Sequence, residues 1–131
     1  MTEPKYILRF FVEWGGGCLW PGNDASYRKY GLGPYDRRKP CPIPISTSTV
    51  NKCIKIAEWH DKSLNWTYPP DPGPWRQEEC DRFNQAIGEL FTEIEKELGK
   101  EYRLINKQAL VKEDPELDMY IINPKHFKRQ I

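Results

Sequence analysis

The chain has 131 residues, of which 30% are charged and 38% hydrophobic, and its formal net charge is +1. A chain of this length and composition folds around one core rather than staying disordered, so we predict a single domain over residues 1–131. The near-neutral charge excludes a strong global field that would draw in nucleic acid or an anionic membrane.

No segment has the apolar character of a targeting or membrane sequence. Residues Met1 to Lys5 are polar and lack the apolar region of a secretory signal peptide. No apolar run approaches the roughly 18 residues that a bilayer-spanning helix requires. The sequence therefore predicts a cytoplasmic location and no membrane partner.

The beginning of the chain predicts a strand followed by a short helix. Tyr6 to Trp14 is an aromatic and β-branched run that ends at three consecutive glycines, which is typical of a strand, and we expect it to be central in the sheet. Asn23 or Asp24 is expected to cap a helical turn from Ala25 to Tyr30. Gly31 suits the left-handed backbone that ends such a turn.

The middle of the chain predicts a helix between two proline-rich connections. Residues 33–44 contain four prolines and are expected to be extended. The hydroxyls at positions 46–49 then precede an apolar stripe with helical spacing, which consists of Val50, Cys53, Ile54 and Ala57. We expect this helix to reach about Asp61. The following segment, Ser63–Trp75, again contains four prolines and predicts a stiff, irregular loop.

The remainder of the chain predicts a long amphipathic helix and two short strands. Six apolar residues after Pro74 share one helical face, namely Phe83, Ile87, Leu90, Phe91, Ile94 and Leu98. Two shorter apolar runs, Tyr102 to Ile105 and Met119 to Ile122, favour strands. This order of elements predicts an α+β fold, in which two amphipathic helices pack on one face of a small, mostly antiparallel sheet.

The proline-rich loop is the first candidate for a binding surface. Because proline stiffens its backbone, exposed rings could bind a partner with little further loss of entropy. Aromatic anchors beside a carboxylate are typical of interface hot spots, so we predict partner-binding residues at Trp66, Tyr68, Asp71 and Trp75. In the alternative interpretation, the same prolines and rings form a lid that closes the core between the two helices.

A second candidate patch, Trp20 with Asp24, follows the three glycines. Glycines let the backbone approach a ligand, but the lysine and hydroxyl spacing of a phosphate-binding P-loop is absent. The structural alternative is a tight turn after the strand, with Trp20 packed on the sheet.

Cys18 carries an enzymatic alternative, a small cysteine-dependent hydrolase or transferase. Its thiol would need a neighbouring base, and the chain offers only His60 and His126. The four cysteines lie far apart without a C-x-x-C pair, so we predict free thiols, no metal and no cofactor. No residue is predicted to be catalytic.

Two basic runs, Arg37-Arg38-Lys39 and residues 125–129, are candidates for contact with phosphates. Nucleic acid is nevertheless not the expected partner, because its affinity depends on how many phosphates are neutralised and the whole chain is near neutral. A solubilising tail accounts for the second run.

Three segments carry a resemblance to known proteins: Phe-Val-Glu-Trp-Gly-Gly-Gly-Cys-Leu-Trp, Ser-Leu-Asn-Trp-Thr-Tyr-Pro-Pro-Asp-Pro-Gly-Pro-Trp and the long amphipathic helix. Over roughly Tyr6 to Ile105, the chain resembles small bacterial immunity proteins of polymorphic toxin or contact-dependent growth inhibition systems. The resemblance implies a protein that neutralises a cognate toxin domain by direct protein–protein contact. Immunity proteins as a class share no single motif, so no site residue is carried over.

Overall fold

The computed structural model describes residues 3–130, so Met1 and Thr2 of the polar N-terminal segment lie outside the described residues. In chain order, the elements are β1 (Tyr6–Phe10), β2 (Leu19–Pro21), α1 (Asp24–Tyr30), a 3-10 helix (Tyr35–Arg37), α2 (Thr47–Asp61), α3 (Gln77–Glu97), β3 (Tyr102–Asn106), α4 (Leu117–Ile122) and a second 3-10 helix (Pro124–His126). None of the helices within residues 3–130 has the length and apolar character to cross a membrane.

The sheet has three strands in the order β2-β1-β3, so the predicted first strand is central. β1 pairs antiparallel with β2, where Phe10 lies opposite Leu19, and parallel with β3, where Leu8 lies opposite Leu104. The predicted α+β class is confirmed, but the sheet is mixed rather than mostly antiparallel, because β3 returns parallel to the central strand β1. A parallel pair needs a long crossover connection, which the segment containing α2 and α3 provides.

The core lies between the sheet and helices α2 and α3. β1 alternates buried and half-buried side chains, and its buried members Leu8 and Phe10 join the apolar stripes of both helices. From α2 and α3 the cluster takes Cys53, Ile56, Ala57, Phe83, Ile87, Leu90 and Ile94. Each large apolar side chain that is fully buried contributes about 1.5–3 kcal/mol, so this cluster supplies much of the driving force for folding.

The helix ends follow the signals in the sequence. The Asn23 side chain accepts the N–H of Ser26 at 3.0 Å and begins α1, which ends at Gly31 with φ of 78°. The Ser46 hydroxyl accepts the N–H of Thr49 at 3.1 Å and begins α2. These bonds satisfy donors that the first turn of a helix leaves unpaired, so the predicted positions of both helices are confirmed.

Three local expectations differ from the structure. The strand predicted from Met119 to Ile122 is wrong, because these residues lie in α4. A four-residue apolar run fits a strand or a helix equally well, and here Leu117 is buried while Ile121 and Ile122 are exposed. The sequence does not predict β2, which is only three residues long. The connection over residues 33–44 contains a 3-10 helix rather than being extended throughout.

Candidate functional site

Two anchored tryptophans form an exposed surface at the C-terminal end of α2. Trp14 and Trp66 remain 49% and 60% exposed. The Trp14 indole nevertheless donates from Nε1 to Ser63 Oγ at 3.0 Å, and Trp66 donates from Nε1 to the Asp61 carbonyl at 2.6 Å. The Asp61 carboxylate also accepts the N–H of Gly15 at 2.8 Å. Because these bonds already hold both rings, a partner that covers them pays little ordering entropy.

The loop Ser63–Trp75 is fixed by hydrogen bonds of its own. The Asn65 side-chain oxygen accepts the N–H groups of Thr67 and Tyr68, both at 3.1 Å, and its amide donates to the Pro72 carbonyl at 3.2 Å. Pro72 is fully buried, whereas Tyr68 is 57% exposed. One side of the loop therefore covers the core while the other side faces solvent, so both interpretations of the loop have support.

Trp75 lies on the inner side of this loop. Its ring centroid is 5.2 Å from that of Phe83 and 5.7 Å from that of Trp59, and the side chain is half-buried. Trp59 in turn donates to Glu79 at 2.6 Å. The hydrogen bond from Arg82, and to a smaller extent the one from Trp59, lowers the pKa of Glu79. Trp75 thus belongs to an aromatic cluster that joins the loop to α2 and α3.

A groove of about 400 Å³ lies between the loop and the C-terminal segment, and we call it the aromatic groove. Trp14, Asp71 and Trp75 line one side, and residues 111–115 line the other. Within residues 3–130, the Asp71 carboxylate takes part in no ion pair or side-chain hydrogen bond. This carboxylate is therefore available to a cationic group of a partner.

Arg129 fastens the C-terminal segment to the loop beside this groove. Its guanidinium forms ion pairs with Asp114 at 2.6 Å and Glu116 at 3.3 Å, and it donates to the Pro70 carbonyl at 3.0 Å. The bond from Arg129 holds the pKa of the Asp114 carboxyl below its ordinary value. Both walls of the aromatic groove are consequently held by defined contacts.

The predicted second patch does not line the aromatic groove. The Trp20 ring stacks on Phe11 with a centroid distance of 5.0 Å and an angle of 9°, and its indole donates to the Phe11 carbonyl at 2.9 Å. Asp24 is exposed in the first turn of α1, where a carboxylate interacts favourably with the helix dipole. Trp20 therefore packs on the sheet region, and only Asp24 is freely exposed.

Cys18 lacks the surroundings of a nucleophile. Its buried thiol donates to the Cys53 carbonyl at 3.6 Å. The contact with the Cys53 thiol, together with burial, raises the pKa of Cys18 well above its ordinary value, whereas a reactive thiolate needs a lowered pKa. Among the described residues, no hydrogen bond joins Cys18 to His60, which is buried, or to His126, which is exposed.

The Asp36 carboxylate lies beside the two buried thiols of Cys18 and Cys53, and its hydrogen bonds explain this position. Its carboxylate oxygen and the sulfurs of Cys18 and Cys53 all lie within 4.8 Å of one another. The carboxylate already accepts the N–H groups of Cys18 at 2.9 Å and Leu19 at 3.0 Å. It thereby ties the 3-10 helix Tyr35–Arg37 to the start of β2, and we assign no metal to this group.

Trp14 is the surface residue that the sequence prediction missed. The aromatic run places it at the end of a strand, but β1 ends at Phe10 and the chain turns at the glycines, where the Glu13 N–H donates to the Gly17 carbonyl at 3.3 Å. Trp14 directly precedes the three glycines, and a residue next to such a turn is not held in the hydrogen-bonded part of the sheet. This position in the sequence was the signal that the Trp14 ring could pack against a neighbouring element.

Comparison with known proteins identifies the family of this chain. Residues 8–108 match the model of the family described as Serratia CdiI immunity protein-like, and this match covers more than half of the chain. The matched region includes Trp14, α2, the loop Ser63–Trp75 and α3. No curated protein matches the chain. The chain therefore belongs to the Serratia CdiI immunity protein-like family, and the counterpart of such an immunity protein is a toxin.

Proposed function

We propose that this protein neutralises a cognate toxin domain by direct contact, through the exposed rings of Trp14, Trp66 and Tyr68 and the adjoining aromatic groove. The observation that carries the proposal is that Trp14 and Trp66 are exposed and yet held by hydrogen bonds, Trp14 to Ser63 just after α2 and Trp66 to Asp61 at its end. Rigid exposed aromatic groups are the residues that contribute most to protein interfaces. Membership of an immunity protein family supports a toxin as the partner.

Asp71 supplies the charge complementarity of the proposed interface. Its carboxylate lines the aromatic groove without an ion pair among the described residues. A lysine or arginine of the toxin would pair with Asp71 while neighbouring rings exclude water from the contact. Pairing of this kind chiefly determines specificity and the rate of association.

The direct test is the affinity between the purified protein and the toxin domain encoded in its gene neighbourhood, measured by titration calorimetry. We expect Trp66→Ala combined with Tyr68→Ala to weaken binding by about thirtyfold or more, which corresponds to roughly 2 kcal/mol for the loss of hot-spot residues. Ile121→Ala combined with Ile122→Ala is the matched control, because these side chains are 53% and 84% exposed on α4 and line neither candidate patch. The control should bind like wild type.

Thermal unfolding of the same variants separates the two interpretations of the loop. If the double variant keeps the wild-type melting temperature but loses affinity, the rings act in binding. If it unfolds, the loop is mainly a lid. Unchanged affinity in a folded double variant would mean that the toxin binds elsewhere.

The patch formed by Trp20 and Asp24 stays a prediction, and its two members need different tests. Because Trp20 packs on Phe11, its replacement would disturb the fold as well as any interface. Asp24→Lys changes an exposed charge in the first turn of α1 and leaves that packing intact. A loss of affinity in this variant would place the patch within the interface, and wild-type affinity would remove it.

A further inference from the structure

A second groove, which shares no lining residue with the aromatic groove, lies between residues 36–41 and α2. Its volume is about 570 Å³, and we call it the basic groove. Its floor is apolar and half-buried, and it consists of Cys41, Ile45, Val50 and Ile54. Val50 and Ile54 are one helical turn apart, so they present a continuous aliphatic strip along α2.

Three consecutive exposed cations, Arg37, Arg38 and Lys39, also line the basic groove. Within residues 3–130, none of them forms an ion pair with a carboxylate. The two guanidinium groups are nevertheless oriented, because Arg37 donates from Nε to the Gly16 carbonyl at 3.0 Å and Arg38 donates to the Leu32 carbonyl at 2.7 Å. The groove thus has positive charges that are held in place but not neutralised.

The basic groove adjoins the exposed aromatic surface through the glycine turn. Gly16, which accepts the bond from Arg37, lies two residues after Trp14, and two residues span at most about 7 Å. Gly15 between them is bonded to Asp61 at the end of α2. A partner that covers Trp14 can therefore extend across the turn and reach the basic groove.

We infer that the basic groove binds an acidic segment of the toxin, with an aliphatic side chain on Val50 and Ile54 and carboxylates at Arg37, Arg38 and Lys39. The inference rests on the proposed function, and it adds a second contact of defined chemistry. Oriented guanidinium groups suit carboxylates because they form paired, charge-assisted hydrogen bonds. An apolar floor beside them adds the burial that charge pairs alone do not provide.

Nucleic acid fits this groove less well than an acidic peptide. Single-stranded nucleic acid is bound by stacking its bases on aromatic rings, and none of the residues that line the basic groove is aromatic. Three cations also neutralise few phosphates, which limits affinity at physiological salt.

The test compares two charge reversals of equal size in toxin binding at low and high salt. Arg37→Glu with Arg38→Glu should weaken binding at low salt by about tenfold or more and flatten its salt dependence, because oriented charges near the interface are lost. Lys100→Glu with Arg103→Glu, exposed residues that line neither groove, is the control and should change affinity less than about twofold. Ile54→Ala should weaken binding several-fold without changing charge. Thermal unfolding of each variant checks that it is folded.

The outcomes for the inference and for the proposed function are distinguishable. If wild type binds the toxin and the Arg37→Glu, Arg38→Glu variant binds equally well, the inference fails while the proposed function stands. If wild type does not bind the toxin, the proposed function fails and a second measurement decides the inference. That measurement is a ¹⁵N NMR titration with the peptide acetyl-Asp-Leu-Glu-Leu-Asp-amide.

Shifts confined to Cys41, Val50, Ile54 and their neighbours would support the groove's assigned chemistry in that titration. A peptide with lysine in place of each acidic residue should cause none of these shifts. The inference is overturned if the acidic peptide causes no shifts there. It is also overturned if a short single-stranded RNA causes the same shifts at lower concentration.

Discussion

The indole of Trp14 lies nearly flat on the imidazole of His60, with ring centroids 5.0 Å apart and an angle of 15° between the ring planes. The Phe83 ring lies 5.4 Å from the same imidazole. His60 is buried, and its Nδ1 is the one buried side-chain nitrogen or oxygen without a hydrogen-bond partner among residues 3–130. A residue of the proposed interface therefore covers a buried histidine.

Replacing His60 with Phe should stabilise the protein by about 1 kcal/mol at neutral pH. The change removes a buried polar atom that has no partner and keeps a ring in the stack. Urea unfolding at about pH 7.5, compared with wild type, measures the difference. A variant less stable than wild type would show that Nδ1 has a partner in solution, such as a bound water.

The same pair of proteins should differ in pH dependence. Burial lowers the pKa of His60 in the folded state, although Asp61 opposes this shift. The stability that depends on neutral His60 is therefore fully present above the pKa of histidine in the unfolded chain, about 6.5. It is lost as the pH falls from there through the lowered pKa of the folded state. Between about pH 7.5 and 5.5 wild type should lose more stability than His60→Phe. Equal losses of unfolding free energy in the two proteins would contradict a lowered pKa of His60.

Removing the indole that covers His60 should have two effects. Trp14→Ala loses the stacking contact, which is expected to cost about 1–2 kcal/mol of unfolding free energy. It also admits water to the imidazole, so the pKa of His60 should rise towards its ordinary value in an NMR titration. Trp66→Ala is the control, because Trp66 bonds to the Asp61 backbone and has no stacking contact with His60. An unchanged pKa of His60 in Trp14→Ala would contradict the covering role.

The helices and the central strand could be predicted because their signals are local. Asn23 and Ser46 are capping residues at the predicted positions, and the stripe from Phe83 to Leu98 has a helical period that no strand would share. The aromatic loop was also recognisable, since prolines and exposed rings are visible in the sequence. That residues 1–131 form one domain stays a prediction, which a single unfolding transition in these experiments would support.

The remaining features depend on contacts between distant parts of the chain. The parallel pairing of β1 with β3 joins Leu8 to Leu104, and no local pattern records it. β2 forms because it pairs with β1 and because the Asp36 carboxylate accepts two backbone N–H groups at the start of β2. The contact of Trp14 with His60 is likewise long-range. The sequence therefore indicated the exposed rings of the loop, Trp66 and Tyr68, but not Trp14.

Gly17→Ala should destabilise the protein by about 1–3 kcal/mol. An added Cβ would lie 2.7 Å from both the Asp36 carboxylate and Pro34, in the tightly packed anchor at the start of β2. Gly88→Ala is the matched control, because a Cβ there meets no atom within 4 Å. In the middle of α3 the alanine should stabilise by about 0.5–1 kcal/mol. Equal effects of the two substitutions in urea unfolding would contradict the anchoring role of Asp36.

The four free thiols should react with iodoacetamide in an order set by their burial. Cys41 is half-exposed and should be modified first in the folded protein, although burial raises its pKa. Cys18, Cys53 and Cys80 are buried and should react only after unfolding in urea. Peptide mass spectrometry after timed labelling gives the order. Rapid modification of Cys18 in the folded protein would instead restore the cysteine-dependent enzyme as a hypothesis.

The ion pair between Arg129 and Asp114 should make the C-terminal wall of the aromatic groove sensitive to acid. The hydrogen bond from Arg129 lowers the folded pKa of Asp114 below its unfolded value of about 3.9. The contribution to stability is therefore present above that value and is lost as pH falls through the lowered folded pKa. NMR can follow the Arg129 Nε–H signal, whose donor bonds to the Pro70 carbonyl at 3.2 Å.

We expect this signal to be protected from exchange at about pH 5 and to lose protection as the pH falls to about 2.5. Asp114→Asn should already be poorly protected at pH 5, because the amide keeps the shape of the side chain but not its charge. Asp118→Asn is the control, since the ion pair of Asp118 with Arg76 is mostly exposed and exposed pairs contribute little. If Asp114→Asn protects Arg129 as well as wild type does, the wall is held by the Pro70 and Glu116 contacts instead, and toxin binding should then be insensitive to the charge of Asp114.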